Sequence, residues 1–585
     1  MKFKSIILGS AVVAAMGLTS CVDSFLDTMP DNRVELSTVE HLRLLMNTAY
    51  PSNNYTVVCE TSSDNVIDNN APDKDGKRYN LAAYERGDDE LFAWDDVKYS
   101  TGSDSPSGVW EGYWSSVATV NAVLEKIADF ELLPDEQKAE VDDYDKLSAL
   151  KGEALVLRAY DHFILANIFC EAYRGPELSK SILGIPYMTK PETTVKPHYE
   201  RGNLSDVYAK IESDLKEGLA LIDNSLYEIP KYHFNKQAAN AFAARFYLFI
   251  RDYKKAFEYA NEAFGGADVD ASQYMSTVWQ NLDKFYYISD FGKFQNNIDK
   301  PRNFLLLATY SSAWRRCINS NRYACNREAK RATIQGPGPT WERYTWTSIK
   351  GDGESYAMNP CFNGACGSNG KSDYGTYFAG TACEQFEYSD KVSGIGYAHI
   401  TRSEFNGEET LLTRAEARLF LGDIAGCVAD LKIWEEAHHG SPSHLSGSDR
   451  YDPLTLEAIN DFYSSDFRAS GGGDVLFGIV KPINIDEVFP SAEYSVTPEI
   501  ERVLQCVQHF RRIETIHTGM RWFDIKRFGL EITHKIGKDR VETLTKFDPR
   551  KAIQIPTEVL SAGFEPNKRV PENDLSDIEY SVPVN

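Results

Sequence analysis

Two stretches of this chain carry one pattern, and that pattern leaves few options for its fold. Ala244 to Phe264 reads ARFYLFIRDYKKAFEYANEAF, and Arg414 to Trp434 reads RAEARLFLGDIAGCVADLKIW. In the first, an apolar helical stripe reaches Leu248, a two-residue corner follows at Arg251-Asp252, and a second stripe starts at Tyr253. In the second, Leu419, Gly422-Asp423 and Ile424 take the same places. Apolar residues recurring every three or four positions mark one face of a helix. Small residues such as Ala256 and Ala260 let two antiparallel helices approach closely. The copies lie far apart, so a long insertion separates them and the chain is not a tandem array.

These pairs follow the logic of tetratricopeptide-type hairpins, and further periodic stretches extend them. Helices are expected near Val39 to Ala49, Gly108 to Phe130, Tyr144 to Cys170, Arg201 to Ile222 and Ile500 to Phe528. Asn203 and Ser205 are N-cap candidates for the fourth. Between about Gly265 and Thr401, and again over His438 to Pro490, the helical period disappears and Gly, Asn, Ser, Pro and Tyr become dense. Loop-rich stretches of such length commonly carry function. The fold class is therefore mostly α: a tetratricopeptide-like helical-hairpin scaffold with long irregular loop-rich insertions and few short strands. One domain is expected over 21–585. Its helical scaffold covers about 36–264, 402–438 and 498–585; its loop-rich excursions cover about 265–401 and 439–497.

The N-terminus begins with Lys2 and Lys4, continues through about 13 apolar residues from Ile6 to Leu18, and closes on Thr19-Ser20-Cys21. That run is too short to span a bilayer of roughly 30 Å as a helix. Basic start, short apolar core, small residues and then Cys read as a lipoprotein export signal over 1–20, with Cys21 as the lipidated residue. The expected anchor is the N-terminal lipid alone. The net charge of −24, from 62 basic and 86 acidic side chains, argues against nucleic-acid binding, which needs clustered Lys and Arg.

Among the cysteines after Cys21, Cys170, Cys427 and Cys506 fall in helical apolar patterns and read as buried thiols. Cys317, Cys325, Cys361, Cys366 and Cys383 crowd one loop-rich stretch, where one or two disulfides are compatible with export. Asp64, Asn65, Asp68 and Asn69 lack the Gly of a calcium loop and read as caps or turns. His438, His439 and His444 lack helical i, i+4 spacing, so no metal site is expected there. No HExxH, GxSxG or GxxxxGK[ST] motif is present, and no cofactor is implied.

A series of strings in order along the chain resembles one family. They are CVDSFLDTMP from Cys21; VWEGYWSSVATVNAVL with Trp110, Tyr113 or Trp114, and Asn121; and KGEALVLRAYDHF with Gly152, Glu153, Ala154, Arg158, Ala159 and Tyr160. GIPYMTK, the first hairpin, and EETLLTRAEARL with Ala415, Glu416 and Ala417 follow. GMRWFDIKRFG, with Arg521, Trp522, Asp524, Lys526 and Arg527, and AIQIPTEVL complete the series. The chain is similar to the SusD/RagB-like outer-membrane nutrient-binding lipoproteins. It departs from them at Arg511-Arg512 and Thr518-Gly519, where the family often has Glu-Arg and Glu-Gly. That difference bears on a local ion pair rather than on the fold.

The resemblance implies a non-enzymatic lipoprotein on the extracellular face of the outer membrane. Its expected partners are a SusC-like TonB-dependent transporter and an oligosaccharide, or a peptide in some members. A surface glycoside hydrolase is the alternative from another class. Sugar binding needs exposed aromatic platforms and hydrogen-bonding side chains. Trp94, Trp314, Trp341, Tyr344 and Trp346 are the ligand-binding candidates, with Tyr99, Asn359, Asn363 and Asp373 nearby. Each Trp has a second reading as a staple for its own loop. Arg521, Asp524, Lys526 and Arg527 read either as a transporter contact or as an ion-pair network locking the last helix; the structural reading is preferred.

Overall fold

The computed structural model describes residues 36–73, 76–82, 84–98, 102–194, 197–277, 281, 288–313, 316, 321–325, 338–340, 382–438, 453–464, 480–491 and 493–570. Its main helices are α1 (Val39–Met46), α2 (Thr56–Ser62), α3 (Arg86–Phe92), α4 (Pro106–Glu131), α5 (Leu147–Phe169), α6 (Leu204–Leu221), α7 (Lys236–Phe249) and α8 (Tyr253–Phe264). After the first long insertion come α9 (Gly407–Phe420), α10 (Ile424–Ala437), α11 (Pro498–Glu514) and α12 (Met520–Arg527). A single core cluster draws side chains from every long helix.

Local chemistry sets the boundaries. Ser105 caps α4, its hydroxyl accepting from the Gly108 N–H at 3.1 Å, and Pro106 occupies the first turn. Asn203 caps α6, accepting from the Asp206 N–H at 2.9 Å. The two hairpins, α7–α8 and α9–α10, turn alike. Arg251 (φ 62°) and Gly422 (φ 83°) both take the left-handed conformation. Asp252 and Asp423 then cap α8 and α10, accepting from the N–H groups of Lys255 and Gly426. The stretch expected as one C-terminal helix is two, because His517 (φ 60°) and Gly519 (φ 89°) break it. A Cβ on Gly519 would sit 2.7 Å from the Tyr55 ring, so the turn must be tight there.

The first long insertion is less irregular than its composition suggests. It holds β1 (Asn303–Tyr310), β2 (Cys383–Asp390) and β3 (Ile395–Asn406), an antiparallel sheet in the order β1–β3–β2. Its register pairs Tyr310 with His399, Gln385 with His399, and Glu387 with Tyr397. Near the C-terminus β4 (Ile532–Ile536) and β5 (Arg540–Leu544) form a hairpin.

Buried ion pairs tie the elements together. Arg245 bridges Glu404 and Glu409, Arg511 bridges Glu409 and Asp524, and Arg527 bridges Asp524 and Glu416. Arg521 grips Asp64 with two bonds of 2.8 and 2.9 Å, and Arg512 reaches Asp64 and Asn65. Lys526 donates to the carbonyls of Asn167 and Cys170. The charged α12 motif is thus structural, and Arg511-Arg512 make their own pairs where the family often has Glu-Arg. Cys59, Cys170, Cys325, Cys427 and Cys506 are buried.

Candidate functional site

The site is assembled where the sheet meets the start of α4. Gly102, at φ 113°, turns the chain into Ser103-Asp104-Ser105, and Ser105 donates its hydroxyl to the Gly102 carbonyl at 2.8 Å. A Cβ on Gly108 would lie 2.5 Å from that carbonyl oxygen, so only glycine lets the loop fold onto the helix. Asp104 accepts from the hydroxyls of Ser311 (2.6 Å) and Ser312 (2.8 Å) and from the Ser312 N–H (2.8 Å). This carboxylate therefore pins the end of β1 to the loop before α4.

Between these segments and α3 lies a cleft of about 240 Å³. Glu85, Arg86, Asp88, Asp104, Arg316 and Tyr397 are among its lining residues. Arg316 pairs with the buried Asp88, yet its Nε meets no acceptor among the described residues. Burial pushes the Asp88 carboxyl above its ordinary range, and Arg316 opposes that shift.

At the edge of the cleft the sheet presents aromatic rings to solvent. Successive side chains of a strand point to opposite faces, so paired residues share a face. Tyr310, His399, Tyr397, Gln385 and Glu387 accordingly lie on one face. The Tyr310 ring is 5.7 Å from Tyr397 and 4.3 Å from His399. His399 Nε2 lies 2.8 Å from a Glu387 carboxylate oxygen. Tyr397 is 59% exposed and Tyr310 37%. Flat rings, an imidazole, an amide and a carboxylate thus adjoin a polar cleft. Such a surface can stack against an apolar ring face and hydrogen-bond its rim.

Trp94 does not take part as expected. It is 4% exposed, donates its indole N–H to the Ser62 carbonyl at 2.9 Å, and stacks on His534 at 4.1 Å. It is a staple between α3 and β4, so its candidacy as a ligand platform is withdrawn. Trp314, Trp341, Tyr344 and Trp346 lie outside the described residues, as do Tyr99, Asn359, Asn363, Asp373 and Cys21. His438 is buried, with Nδ1 at 2.7 Å from the Trp434 carbonyl and Nε2 at 3.2 Å from Glu514; His439 and His444 lie outside the described residues. Among the described residues no group of three or more His, Cys, Asp or Glu is placed to hold a metal ion. The aromatic pair Tyr310 and Tyr397 was not singled out from sequence. Its signal was the period-2 alternation of Gln385, Glu387, Tyr397 and His399, which acquires meaning only once β1 is paired with β3.

Fold and site together define a helical-hairpin scaffold that presents an aromatic-edged polar cleft. Residues 24–248 match a SusD-like family described as starch-binding and associating with the outer membrane. Over most of its length the chain also superposes on solved structures. A SusD superfamily protein from Bacteroides thetaiotaomicron VPI-5482 is 16% identical with a TM-score of 0.54, covering 91% of this chain and 100% of that one. One from Bacteroides vulgatus ATCC 8482 is 17% identical with a TM-score of 0.53, covering 92% and 100%. One from Bacteroides fragilis is 15% identical with a TM-score of 0.51, covering 90% and 98%. No curated protein matches the chain by sequence. Residues 24–248 thus carry the pattern of that SusD-like family, and the chain shares the fold of solved SusD superfamily proteins over most of its length. Among the described residues no helix is long and apolar enough to cross a membrane.

Proposed function

We propose that this protein is a cell-surface lipoprotein, anchored through Cys21, that captures oligosaccharides and delivers them to a SusC-like TonB-dependent transporter. The observation that carries the reading is the solvent-facing array of Tyr310, Tyr397 and His399 beside the cleft. The family's starch-binding description supports the ligand class. Capture, not cleavage, is the role: Asp88 is held by Arg316 and Asp104 by three donors. A glycosidase instead needs one carboxyl to protonate the leaving oxygen and a second as base or nucleophile.

Calorimetric titration with glycan and peptide panels tests this. Replacing Tyr397 with Ala is expected to weaken glycan binding roughly tenfold, the equivalent of about 1.4 kcal/mol from one stacking platform. Replacing Tyr310 with Ala as well should weaken it further, and overnight incubation should yield no shortened glycan. Peptide binding without glycan binding, or glycan cleavage abolished by Asp88→Asn, would overturn the proposal.

A further inference from the structure

A second cavity, of about 710 Å³, opens between α4, residues 186–192 and 197–199, and the turn 559–564. It shares no lining residue with the cleft. Trp110 and Trp114 form one wall, their ring centroids 5.6 Å apart and their planes inclined by 59°. Phe564 stands edge-on to Trp110 at 5.7 Å, and Tyr199 adds a fourth ring to the lining. The exposed Lys190, Glu192 and His198 supply polar groups at the same cavity.

The wall is held rigid from behind. Asp214 accepts two bonds from Arg158, at 2.7 and 2.9 Å. Arg158 donates to the Asn121 amide oxygen at 3.0 Å, and Asn121 donates to the carbonyls of Met188 (3.1 Å) and Lys190 (3.4 Å). His162 accepts the Met188 N–H at 3.1 Å and stands edge-on to Trp114 at 5.5 Å. A site whose walls are already locked loses little ordering freedom when it binds. Yet the Trp114 indole N–H, itself buried, meets no acceptor among the described residues. A buried donor without a partner is unfavourable.

We propose that this cavity is a second saccharide subsite, in which a pyranose ring lies against the indoles and its hydroxyls meet Lys190, Glu192 and His198. A hydrocarbon ligand would offer nothing to Lys190, Glu192 and His198 at the cavity. A strongly charged ligand would find Lys190 and Glu192, of opposite sign, and no cluster of one sign. A pyranose offers an apolar C–H face to the rings and hydroxyls to the polar groups. The volume falls in the range of roughly 300–1,000 Å³ typical of small-ligand sites. The ligand class rests on the glycan reading proposed above; the site itself rests on the cavity. Two sites on one chain let a long glycan be held at two points, which raises the effective concentration at the second once the first is occupied.

The test titrates the full mature chain with a panel of mono- and disaccharides, using calorimetry and saturation-transfer NMR. Ala118→Trp, an exposed helical position lining the cavity, should fill it and abolish one class of binding while the melting curve stays unchanged. Trp114→Ala, which removes one ring of the wall, should weaken that class several-fold. The same binding should persist in the Tyr310→Ala, Tyr397→Ala double variant. Saccharide binding that Ala118→Trp leaves untouched, in a folded protein, refutes the second subsite while the cleft stands. Loss of all saccharide binding with Ala118→Trp, and of none with the tyrosine changes, confirms the cavity and refutes the cleft. A panel without any binder refutes both.

Discussion

Trp94 shows how one residue can fit two opposite readings. A Trp in a loop before a helix looks like an exposed platform, but only the tertiary structure reveals His534 and the Ser62 carbonyl waiting for it. Trp94→Ala is therefore expected to cost about 3–5 kcal/mol of stability, as for other buried large-to-small changes. Glycan affinity should stay unchanged in the fraction that folds; urea unfolding and calorimetry would measure the two. Asp161 and His162, neighbours on α5, carry opposite pH signatures. Burial pushes the Asp161 carboxyl well above its usual value, and the Ser116 hydroxyl, donating to it at 2.5 Å, opposes that shift. Its stability contribution is present at low pH and is lost as pH rises toward neutrality, so Asp161→Asn should stabilise the fold at pH 7 and progressively less on acidification. Burial drives His162 down to about 4. Its contribution is present above 6.5 and is lost as pH falls toward 4. The advantage of the native protein over His162→Gln should shrink by about 3 kcal/mol across that window. Denaturant titrations at several pH values would give both slopes.

At the level of elements, local signals were enough where helices were concerned. The corner residues Arg251-Asp252 and Gly422-Asp423, the Asn203 cap and the Trp110/Trp114 stripe all stand where the periodicity placed them. Strands were less legible. Asn303–Tyr310 is a short apolar run that could as well be buried helix, and its partner β3 lies some ninety residues on. The break between α11 and α12 was missed because a stripe continues through it in sequence while His517 and Gly519 reverse the backbone. The α5–α6 contact was only half visible. A Cβ on Gly152 would lie 2.7 Å from the Ile222 nitrogen, and one on Gly218 would lie 2.8 Å from a Val156 methyl. Gly152→Ala should force the helices apart and cost about 1–3 kcal/mol, an overpacking penalty measurable as a drop in melting temperature. An unchanged melting temperature would mean that the two helices do not approach so closely.

For the molecule as a whole, the scaffold and the proposed capture face are built from different material. Helical hairpins and buried ion pairs make the body. The proposed binding surface comes from a sheet inside the longest insertion, together with the loop before α4. Composition alone made that insertion look irregular, so the scaffold was readable from the sequence while the site was not: Tyr310 and Tyr397 come together only through long-range pairing. The proposed anchor is independent of this face. Cys21→Ser should move the protein from the membrane fraction to the soluble fraction and leave its glycan affinity unchanged, as fractionation and calorimetry would show. The most direct measurement is a crystal structure of the mature protein with a glycan selected from the panel. The account predicts a sugar ring stacked on Tyr397 or Tyr310, with hydroxyls reaching into the cleft. A glycan bound elsewhere, with those tyrosines bare, would contradict it.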